Sequence, residues 1–404
     1  MNVTDRLCGW FSETRIARFF LEYQTLILCS ILAFFLASSW AGNVMLIEAG
    51  SKYYNPIYDT VFLVLRYASY GAMGLCVLLS LLLGQYRFWP FVVYLALSWL
   101  VFFFSRSTEF MILMLAVGSM ALVPRQAIFR ILLAVQTVAL TVIPLLAALG
   151  VFPNVIMDTE RIRYSLGFTW VTSAPVVFVF ASILFLYLYR KKLNNWIFCF
   201  LLQLDIFLYL LTDTKMAFSV SLLVLAVAYI WWKRPDWLGF LASRWIRLFI
   251  LWLPVLLTLA ALVLAMVYSE SNGFLSRLNA VLSGRLANAS EAWNKYGLSL
   301  FGQQITWTGQ GITYKPSQHY LYVDCSYLNI LLNYGLAALI LVWAWCQAVL
   351  RHLYEKENLL LLAFFIIILC FSFLEVRLIN PLYDPFVIAA GSYLGLARIR
   401  KEKA

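Results

Sequence analysis

The chain has 404 residues, of which 63% are hydrophobic and only 12% are charged, and its mean hydropathy is +0.84. A soluble domain carries about 25% charged residues, so this composition excludes an ordinary water-soluble globular protein. The formal net charge of +11 is not gathered into a long basic tract or an aromatic stacking platform, which argues against nucleic acid as a partner.

Apolar runs follow one another along nearly the whole sequence, and many approach the roughly 20 residues that cross a hydrocarbon core as a helix. They are continuous rather than alternating, unlike the strands of a membrane barrel, and a helix satisfies its own backbone in the bilayer. We therefore predict an all-α, polytopic transmembrane helical bundle of about 12 spans, which forms a single integral membrane domain over residues 1–404. The third and fourth spans are short enough to form one re-entrant pair instead. In chain order the predicted spans are 24–46, 57–84, 88–104, 108–123, 127–151, 168–189, 194–212, 216–232, 246–268, 322–348, 358–374 and 382–397.

Basic residues are distributed unevenly between the two sides of these spans. The side that would hold both termini carries 19 of the 30 Lys and Arg residues. Because short cytoplasmic loops are enriched in Lys and Arg, we predict that both termini are cytoplasmic. These basic residues are Arg6, Arg15, Arg18, Arg87, Arg125, Arg130, Arg190, Lys191, Lys192, Lys233, Arg234, Arg244, Arg247, Arg351, Lys356, Arg398, Arg400, Lys401 and Lys403.

One segment interrupts the membrane pattern: residues 269–321, which lie between the ninth and tenth predicted spans on the outer side. Loops of this length are commonly functional. The apolar residues of this segment approach the three-and-four spacing of an amphipathic helix. Such a helix would either lie on the membrane surface or pack on the bundle. The spacing is carried by Leu275, Leu278, Val281, Leu282, Leu286 and Trp293. We predict that this loop roofs an external site.

Charged side chains gather at the outer ends of the predicted spans rather than in their middles. Cations recur in the first outer loops and in the long loop, and the planar guanidinium of arginine suits phosphate oxygens. Carboxylates lie at the mouths of the last spans, where a partly dry carboxylate can accept a proton. The outer ionisable residues are Asp158, Glu160, Arg161, Arg163, Asp213, Lys215, Arg277, Arg285, Lys295, Lys315, His319, Asp324, Glu375, Arg377 and Asp384.

Five stretches in the second part of the chain resemble, in order, motifs of the Wzy-type polysaccharide polymerases, which belong to the O-antigen ligase superfamily. They surround the long loop and cover positions 161–386. The stretches are RIRYSLGF (161–168), LTDTKMAF (211–218), LSGRLANASEAWNKYGLSLFGQ (282–303), DCSYLNILLNYGL (324–336) and LEVRLINPLYDPF (374–386).

The sequence departs from the patterns of that superfamily at four places, three of them relative to the polymerases and one relative to the ligases. TWVTSAP follows the SLGF-like element where the family usually has a proline-asparagine pair, and Cys325 stands where asparagine is frequent. The span-opening basic residue is Lys215 rather than arginine. The ligases tend to carry histidine at the position of Asp324, and this difference favours a polymerase over a ligase.

The resemblance implies a metal-independent, inverting membrane glycosyltransferase that needs no cofactor. It would polymerise undecaprenyl-diphosphate-linked oligosaccharide repeat units at the outer face of the bacterial cytoplasmic (inner) membrane, with the growing glycan as donor. Its other partners would be the lipid bilayer, a chain-length regulator and a flippase. The products would be O-antigen, capsule or exopolysaccharide.

The resemblance also suggests roles for individual residues. Asp324 would be the general base, with Arg285 as a further catalytic residue. His319 is a second candidate base because imidazole exchanges protons near neutral pH. Basic side chains would stabilise the charge of the leaving diphosphate. The predicted diphosphate-binding residues are Arg161, Arg163, Lys215 and Arg285, and the further site residues are Tyr327, Glu375 and Arg377.

Two other classes of function remain open from the sequence. A different membrane glycosyltransferase, such as an O-antigen ligase or a peptidoglycan polymerase of the shape-determination family, has the same hydropathy. A polysaccharide flippase or another transporter would also have it. Transporters typically show internal repeats and substrate sites near the midplane, whereas this chain shows no convincing repeat and has its polar residues at the outer edge.

Overall fold

A computed structural model describes residues 14–47, 51–156, 162–309 and 319–398. These residues form helices, with isolated β-bridges and no strand among them. In chain order the helices are α1 (Arg15–Ala41), α2 (Pro56–Leu82), α3 (Phe88–Ser105), α4 (Thr108–Met120), α5 (Arg125–Ala148), α6 (Ser173–Leu188), α7 (Asn195–Thr212), α8 (Lys215–Lys233), α9 (Arg244–Val267), α10 (Gly273–Val281), α11 (Arg285–Tyr296), α12 (Ser326–Glu355), α13 (Leu359–Phe371), α14 (Pro385–Ile388) and α15 (Ala390–Tyr393). Three short 3-10 helices cover Met45–Ile47, Arg190–Lys192 and Pro235–Ala242.

Eight of these helices are long and apolar enough to cross a membrane: α1, α2, α3, α5, α7, α8, α9 and α12. Helices α4, α6 and α13 are apolar but shorter. The prediction of an all-α bundle with transmembrane helices is therefore confirmed, while the count of 12 spans stays a prediction. The last predicted span, 382–397, is not one helix but contains α14 and α15, each of four residues.

Two short helices lie at the centre of the bundle. Nearly every side chain of α6 and of α13 is buried, as expected for helices that are apolar on all sides. The long helices α2, α3 and α7 instead expose most of their apolar side chains, which is the surface that a bilayer covers. The longest helix, α12, runs beside this centre and is itself mostly buried.

Contacts between distant residues define the two ends of the bundle. The side-chain amides of Gln24 and Gln85 exchange two hydrogen bonds, and the backbone of Arg398 bonds to the carbonyl oxygen of Gln85 at 2.8 Å. The beginning and the end of the described chain therefore meet at one end, which we call the terminal end. The described residues between α9 and α12, 268–309 and 319–325, lie at the opposite end, which we call the loop end. Which side of a membrane each end faces stays a prediction.

The described part of the segment between α9 and α12 contains two helices, α10 and α11, in place of the single predicted amphipathic helix. Ser283 and Gly284 both have positive φ angles, which end the first helix and turn the chain before Arg285. Leu275 and Leu286 face inward and are buried. Val281 is mostly exposed, so the three-and-four spacing does not continue across the turn.

Helix α12 is broken at Gly335, where the backbone of the segment after α11 forms hydrogen bonds with the helix. Gly335 has a φ of 81° and a ψ of 178°, a conformation that only glycine adopts readily. The amides of the next two residues bond to the carbonyl oxygens of Ser299 (3.0 Å) and Leu300 (2.9 Å) instead of to their own helix. A side chain at Gly302 would collide with the backbone of Asn333. The loop backbone thus replaces the hydrogen bonds that the broken helix lacks.

Candidate functional site

Arg285 is held at the first position of α11 by the turn that precedes it. Asn279 accepts hydrogen bonds from the amides of Leu286 (3.1 Å) and Ala287 (3.0 Å). This side chain caps amides that a helix start leaves unpaired. Gly284 has a left-handed backbone conformation. Together with the cap, it fixes the direction in which α11 begins and places Arg285 toward the bundle.

The guanidinium of Arg285 lies between two carboxylates from separate parts of the chain. Its Nε donates a hydrogen bond of 2.9 Å to Oδ2 of Asp324, and its Nη2 lies 3.7 Å from Oε1 of Glu375. The three side chains are 27%, 23% and 11% exposed, respectively. This arrangement, which we call the carboxylate–arginine cluster, lies at the loop end. Ion pairs this sheltered are screened much less than those on a surface.

One serine hydroxyl fixes the backbone beneath the cluster. The Oγ of Ser326 donates a hydrogen bond of 2.6 Å to the carbonyl oxygen of Glu375 and accepts bonds from the amides of Arg377 (3.1 Å) and Leu378 (3.3 Å). The amide of Ser326 bonds to the carbonyl oxygen of Ser372 at 2.9 Å. The start of α12 is therefore tied to the irregular segment after α13, which brings Asp324 and Glu375 together.

Arg377 supplies a second cation on the inner side of the cluster. Its guanidinium stacks on the ring of Tyr383 at 4.5 Å from the ring centroid. That tyrosine is buried and contacts the rings of Trp40 and Phe180. The Nε of Arg377 is buried and has no hydrogen-bond partner in the part of the chain that the structure describes. The cluster thus joins two cations with two carboxylates.

Burial changes the proton affinity of the cluster. It raises the pKa of Asp324, although the neighbouring Arg285 and then Arg377 act to lower it. It likewise raises the pKa of Glu375, against the lowering effect of Arg377 and Arg285. Removing a carboxylate from water disfavours its charged form. Both carboxylates therefore hold a proton more readily than they would in water, which is a useful property for a general base.

Two tyrosines beside the cluster were not predicted from the sequence. Tyr320, Tyr322 and Asp324 alternate along an extended stretch, and alternate residues of an extended chain point to the same face. The bridge between Thr308 and Leu321 confirms that this stretch is extended. Burial is the main cause that raises the pKa of Tyr322 to about 12. The alternation in HYLYVD (319–324) was the signal that could have identified them.

Arg163 and Lys215 lie together at another corner of the loop end, between α7 and α8. The Nε of Arg163 donates a hydrogen bond of 2.9 Å to the carbonyl oxygen of Thr212, and the next amide, of Tyr164, bonds to the carbonyl oxygen of Leu211. Lys215 is the first residue of α8 and is exposed. Arg163 is thus bonded to the end of α7, three residues before Lys215, while Arg161 lies outside the described residues.

The remaining predicted site residues have other surroundings. His319 is 73% exposed, and its Nε2 lies 2.8 Å from Oε1 of Glu291 on α11, so it pairs with that carboxylate rather than with the cluster. Tyr327 is fully buried and donates a hydrogen bond of 2.9 Å to the carbonyl oxygen of Leu369. It therefore packs in the core behind the site. Within the described ranges, no group of three or more His, Cys, Asp or Glu side chains is placed to hold a metal ion.

Comparisons with known proteins identify no relative: no family model, no curated protein and no solved structure matches this chain. The resemblance to the Wzy-type polymerases therefore stays a prediction from the five motifs. The structure does bring together four residues from three of those motifs, namely Arg285, Asp324, Glu375 and Arg377.

Proposed function

We propose that this protein is a membrane glycosyltransferase that polymerises lipid-diphosphate-linked oligosaccharide repeat units at the loop end of its bundle. The observation that carries the proposal is the contact of Arg285 with Asp324 and Glu375, because it joins three residues from separate predicted motifs. Sheltered ionisable groups with shifted pKa values are frequent in catalytic sites. The proposal also places the loop end outside the cytoplasm and both termini inside it, in a bacterial cytoplasmic membrane.

In the proposed reaction, Asp324 is the general base. A hydroxyl of the acceptor sugar, on a new lipid-linked repeat unit, attacks the anomeric carbon of the growing glycan from the face opposite the diphosphate. The carbon–oxygen bond to the diphosphate breaks, the hydroxyl proton moves to Asp324, and the lipid diphosphate leaves. Arg285 keeps the base ionised and oriented. The new bond has the opposite anomeric configuration.

The charge on the leaving diphosphate is larger than one cation beside the base would balance. Arg285 contacts two carboxylates, so an anion must compete with both of them for this side chain. The corner that holds Arg163 and Lys215 contributes two further cations at the same end of the bundle. We propose that these two, together with Arg161 and with Arg285 beside the base, bind the diphosphate. Cations so placed stabilise charge as it develops in the transition state.

The experiment that tests this function gives purified protein a lipid-diphosphate-linked repeat unit in detergent, without any other enzyme. We expect a ladder of longer lipid-linked glycans. Asp324→Asn should lower its rate by 10²–10⁴, the usual contribution of a general base. Glu270→Gln, a matched change at an exposed carboxylate of the same loop segment, should leave the ladder unchanged.

Other outcomes would identify other functions. If the glycan were transferred once to a different lipid acceptor, the protein would be a ligase. If the substrate crossed a vesicle membrane without growing, the protein would be a flippase. An equal ladder from the native protein and from a folded Asp324→Asn variant would contradict the assignment of the base.

A further inference from the structure

A cavity of about 570 Å³ lies at the terminal end of the bundle, far from the carboxylate–arginine cluster. It is bounded by the 3-10 helix Arg190–Lys192, the 3-10 helix Pro235–Ala242 and the turn between α12 and α13. Its volume lies within the roughly 300–1,000 Å³ of small-molecule sites. The polar side chains that line it are Arg190, Asp236, Lys356, Glu357 and Asn358, and Trp231 is the largest apolar one.

The wall of this cavity is held by hydrogen bonds around Tyr187. Arg190 donates a hydrogen bond of 2.9 Å to the carbonyl oxygen of Tyr187, and its guanidinium lies over the ring of that residue, 4.8 Å from the centroid. The side-chain amide of Asn358 donates to the hydroxyl of Tyr187 at 3.0 Å and caps α13 by accepting from the amide of Leu361. Arg190 is therefore fixed in position rather than free in solvent.

The cations of this cavity are available to an anion. Among the residues that the structure describes, neither Arg190 nor Lys356 forms an ion pair. More positive charge lies beside the rim, because Lys191 and Lys192 of one 3-10 helix, and Lys233 and Arg234 just before the other, are exposed. Clustered basic side chains at the end of a membrane helix attract anionic lipids.

The surroundings of the cavity indicate a membrane interface. Trp237 and Phe240 are exposed on one of the 3-10 helices that border it. Trp196 and Trp245 are exposed in the first turns of α7 and α9, and Trp89 is exposed in the first turn of α3. These helices all begin at the terminal end. Tryptophans are enriched where a bilayer meets water, so this ring of aromatic side chains places the cavity at the level of the lipid headgroups.

We propose that this cavity binds the headgroup of an anionic phospholipid, with its phosphate between Arg190 and Lys356. The carboxylates of Asp236 and Glu357 would repel a free phosphate ion, which carries more negative charge. They can instead accept hydrogen bonds from the hydroxyls of a glycerol headgroup, while Trp231 packs against the glycerol backbone and upper acyl chains. The ligand class is thus a monoanionic phosphodiester with hydroxyl donors and an acyl anchor, as in phosphatidylglycerol.

The test measures lipid binding to the purified full chain in detergent by native mass spectrometry. We expect phosphatidylglycerol to bind more tightly than phosphatidylcholine or phosphatidylethanolamine. The double variant Arg190→Gln with Lys356→Gln should bind phosphatidylglycerol about 25-fold more weakly, since we expect each of the two cations that contact the phosphate to contribute roughly fivefold. The matched control, Arg130→Gln with Arg244→Gln, removes two exposed cations of the same end outside the cavity and should bind as the native protein does.

Three results would overturn the proposal. One is equal binding of phosphatidylglycerol and phosphatidylcholine, and another is an equal loss of binding in the cavity variant and the control. The third is displacement of the lipid by millimolar inorganic phosphate, which would assign the cavity to a soluble anion. If the double variant does not fold, Lys356→Gln alone, at an exposed position, should still weaken binding about fivefold.

Discussion

The Nε of Arg285 donates a hydrogen bond of 2.9 Å to Oδ2 of Asp324, although the two residues are 39 positions apart in the chain. Arg285 opens a helix of the loop segment, and Asp324 lies just before the longest helix of the bundle. This bond therefore connects the loop segment to the membrane helices at the place where the proposed reaction needs its base.

Replacing Arg285 should affect both stability and catalysis. In Arg285→Ala the carboxylates of Asp324 and Glu375 lose their shared cation inside a sheltered site. We expect the free energy of unfolding to fall by about 1–3 kcal/mol, less than for a fully buried pair because these groups are partly exposed. Elongation should be lost. Arg285→Lys keeps the charge but lacks the planar guanidinium group. It should recover stability more than activity. Thermal unfolding measures the first, and the glycan ladder measures the second.

His319 and Asp324 are the two candidates for general base in the proposed reaction, and they have different surroundings. His319 pairs with Glu291 at an exposed position, where an ion pair contributes only about 0–1 kcal/mol. We expect His319→Ala to keep both its melting temperature and its elongation rate within a few fold of the native values. If His319→Ala abolished elongation while a folded Asp324→Asn variant retained it, the two roles would have to be exchanged.

The pH dependence of elongation should report the ionisation of Asp324. Because burial raises the pKa of this carboxyl, the ascending limb of kcat/KM should lie above the ordinary value of 3.8. Arg377 acts to lower that pKa, so Arg377→Met should move the limb to higher pH, and Arg377→Lys should move it less. The measurement is the rate of elongation across pH at low substrate concentration. An unmoved limb in Arg377→Met would show that another group is titrating.

The same carboxyls give stability a pH dependence of known sign. The folded state holds their protons more tightly than the unfolded chain does, because the pKa values of Asp324 and Glu375 are raised. Stability should therefore fall as pH rises from the ordinary values of 3.8 and 4.5 through the raised ones. Thermal unfolding measured across this pH range checks the direction of the change. The dependence of stability on pH should be weaker in Glu375→Gln.

Gly335 should be required for the contact between the backbone of the loop segment and the break in α12. In Gly335→Ala a new side chain would meet the backbone of Gly302 and Leu300, and the conformation itself disfavours any residue but glycine. We expect a loss of more than about 2 kcal/mol in unfolding free energy. Gly74→Ala is the matched control, since a side chain there meets nothing within 4 Å and alanine suits a helix better. Equal melting temperatures of the two variants would contradict this account.

Much of the helical architecture was predictable because the bilayer leaves a strong signal in composition. The apolar runs located α1–α9, α12 and α13 to within several residues at most boundaries. The last predicted span was wrong as a single helix, because apolarity alone does not distinguish a spanning helix from the short helices α14 and α15. The backbone of Val117 approaches Gly391 so closely there that a side chain would not fit, and such packing is invisible in hydropathy.

The carboxylate–arginine cluster was predictable as a set of residues at one end but not as a set of contacts; its role as a site stays a prediction. Motif order placed Arg285, Asp324, Glu375 and Arg377 at the same end, and the structure joins them. The sequence did not indicate Ser326, because its role depends on a segment about fifty positions later. Nor did it indicate that Glu291 pairs with His319, since a contact between a helix and the end of a loop has no periodic signature.

The hydroxyl of Ser326 forms all its hydrogen bonds within the protein. It donates to one carbonyl oxygen and accepts from two amides of the segment after α13. The backbone that carries Asp324 and Glu375 is thereby in place before any substrate binds, so no free energy of binding is needed to assemble it. What remains adjustable is the long side chain of Arg285, which can exchange one carboxylate oxygen for a phosphate oxygen by rotating about its own bonds. In the proposed reaction, this rigid frame with an adjustable Arg285 would suit repeated cycles in which the polymer grows but the site does not change.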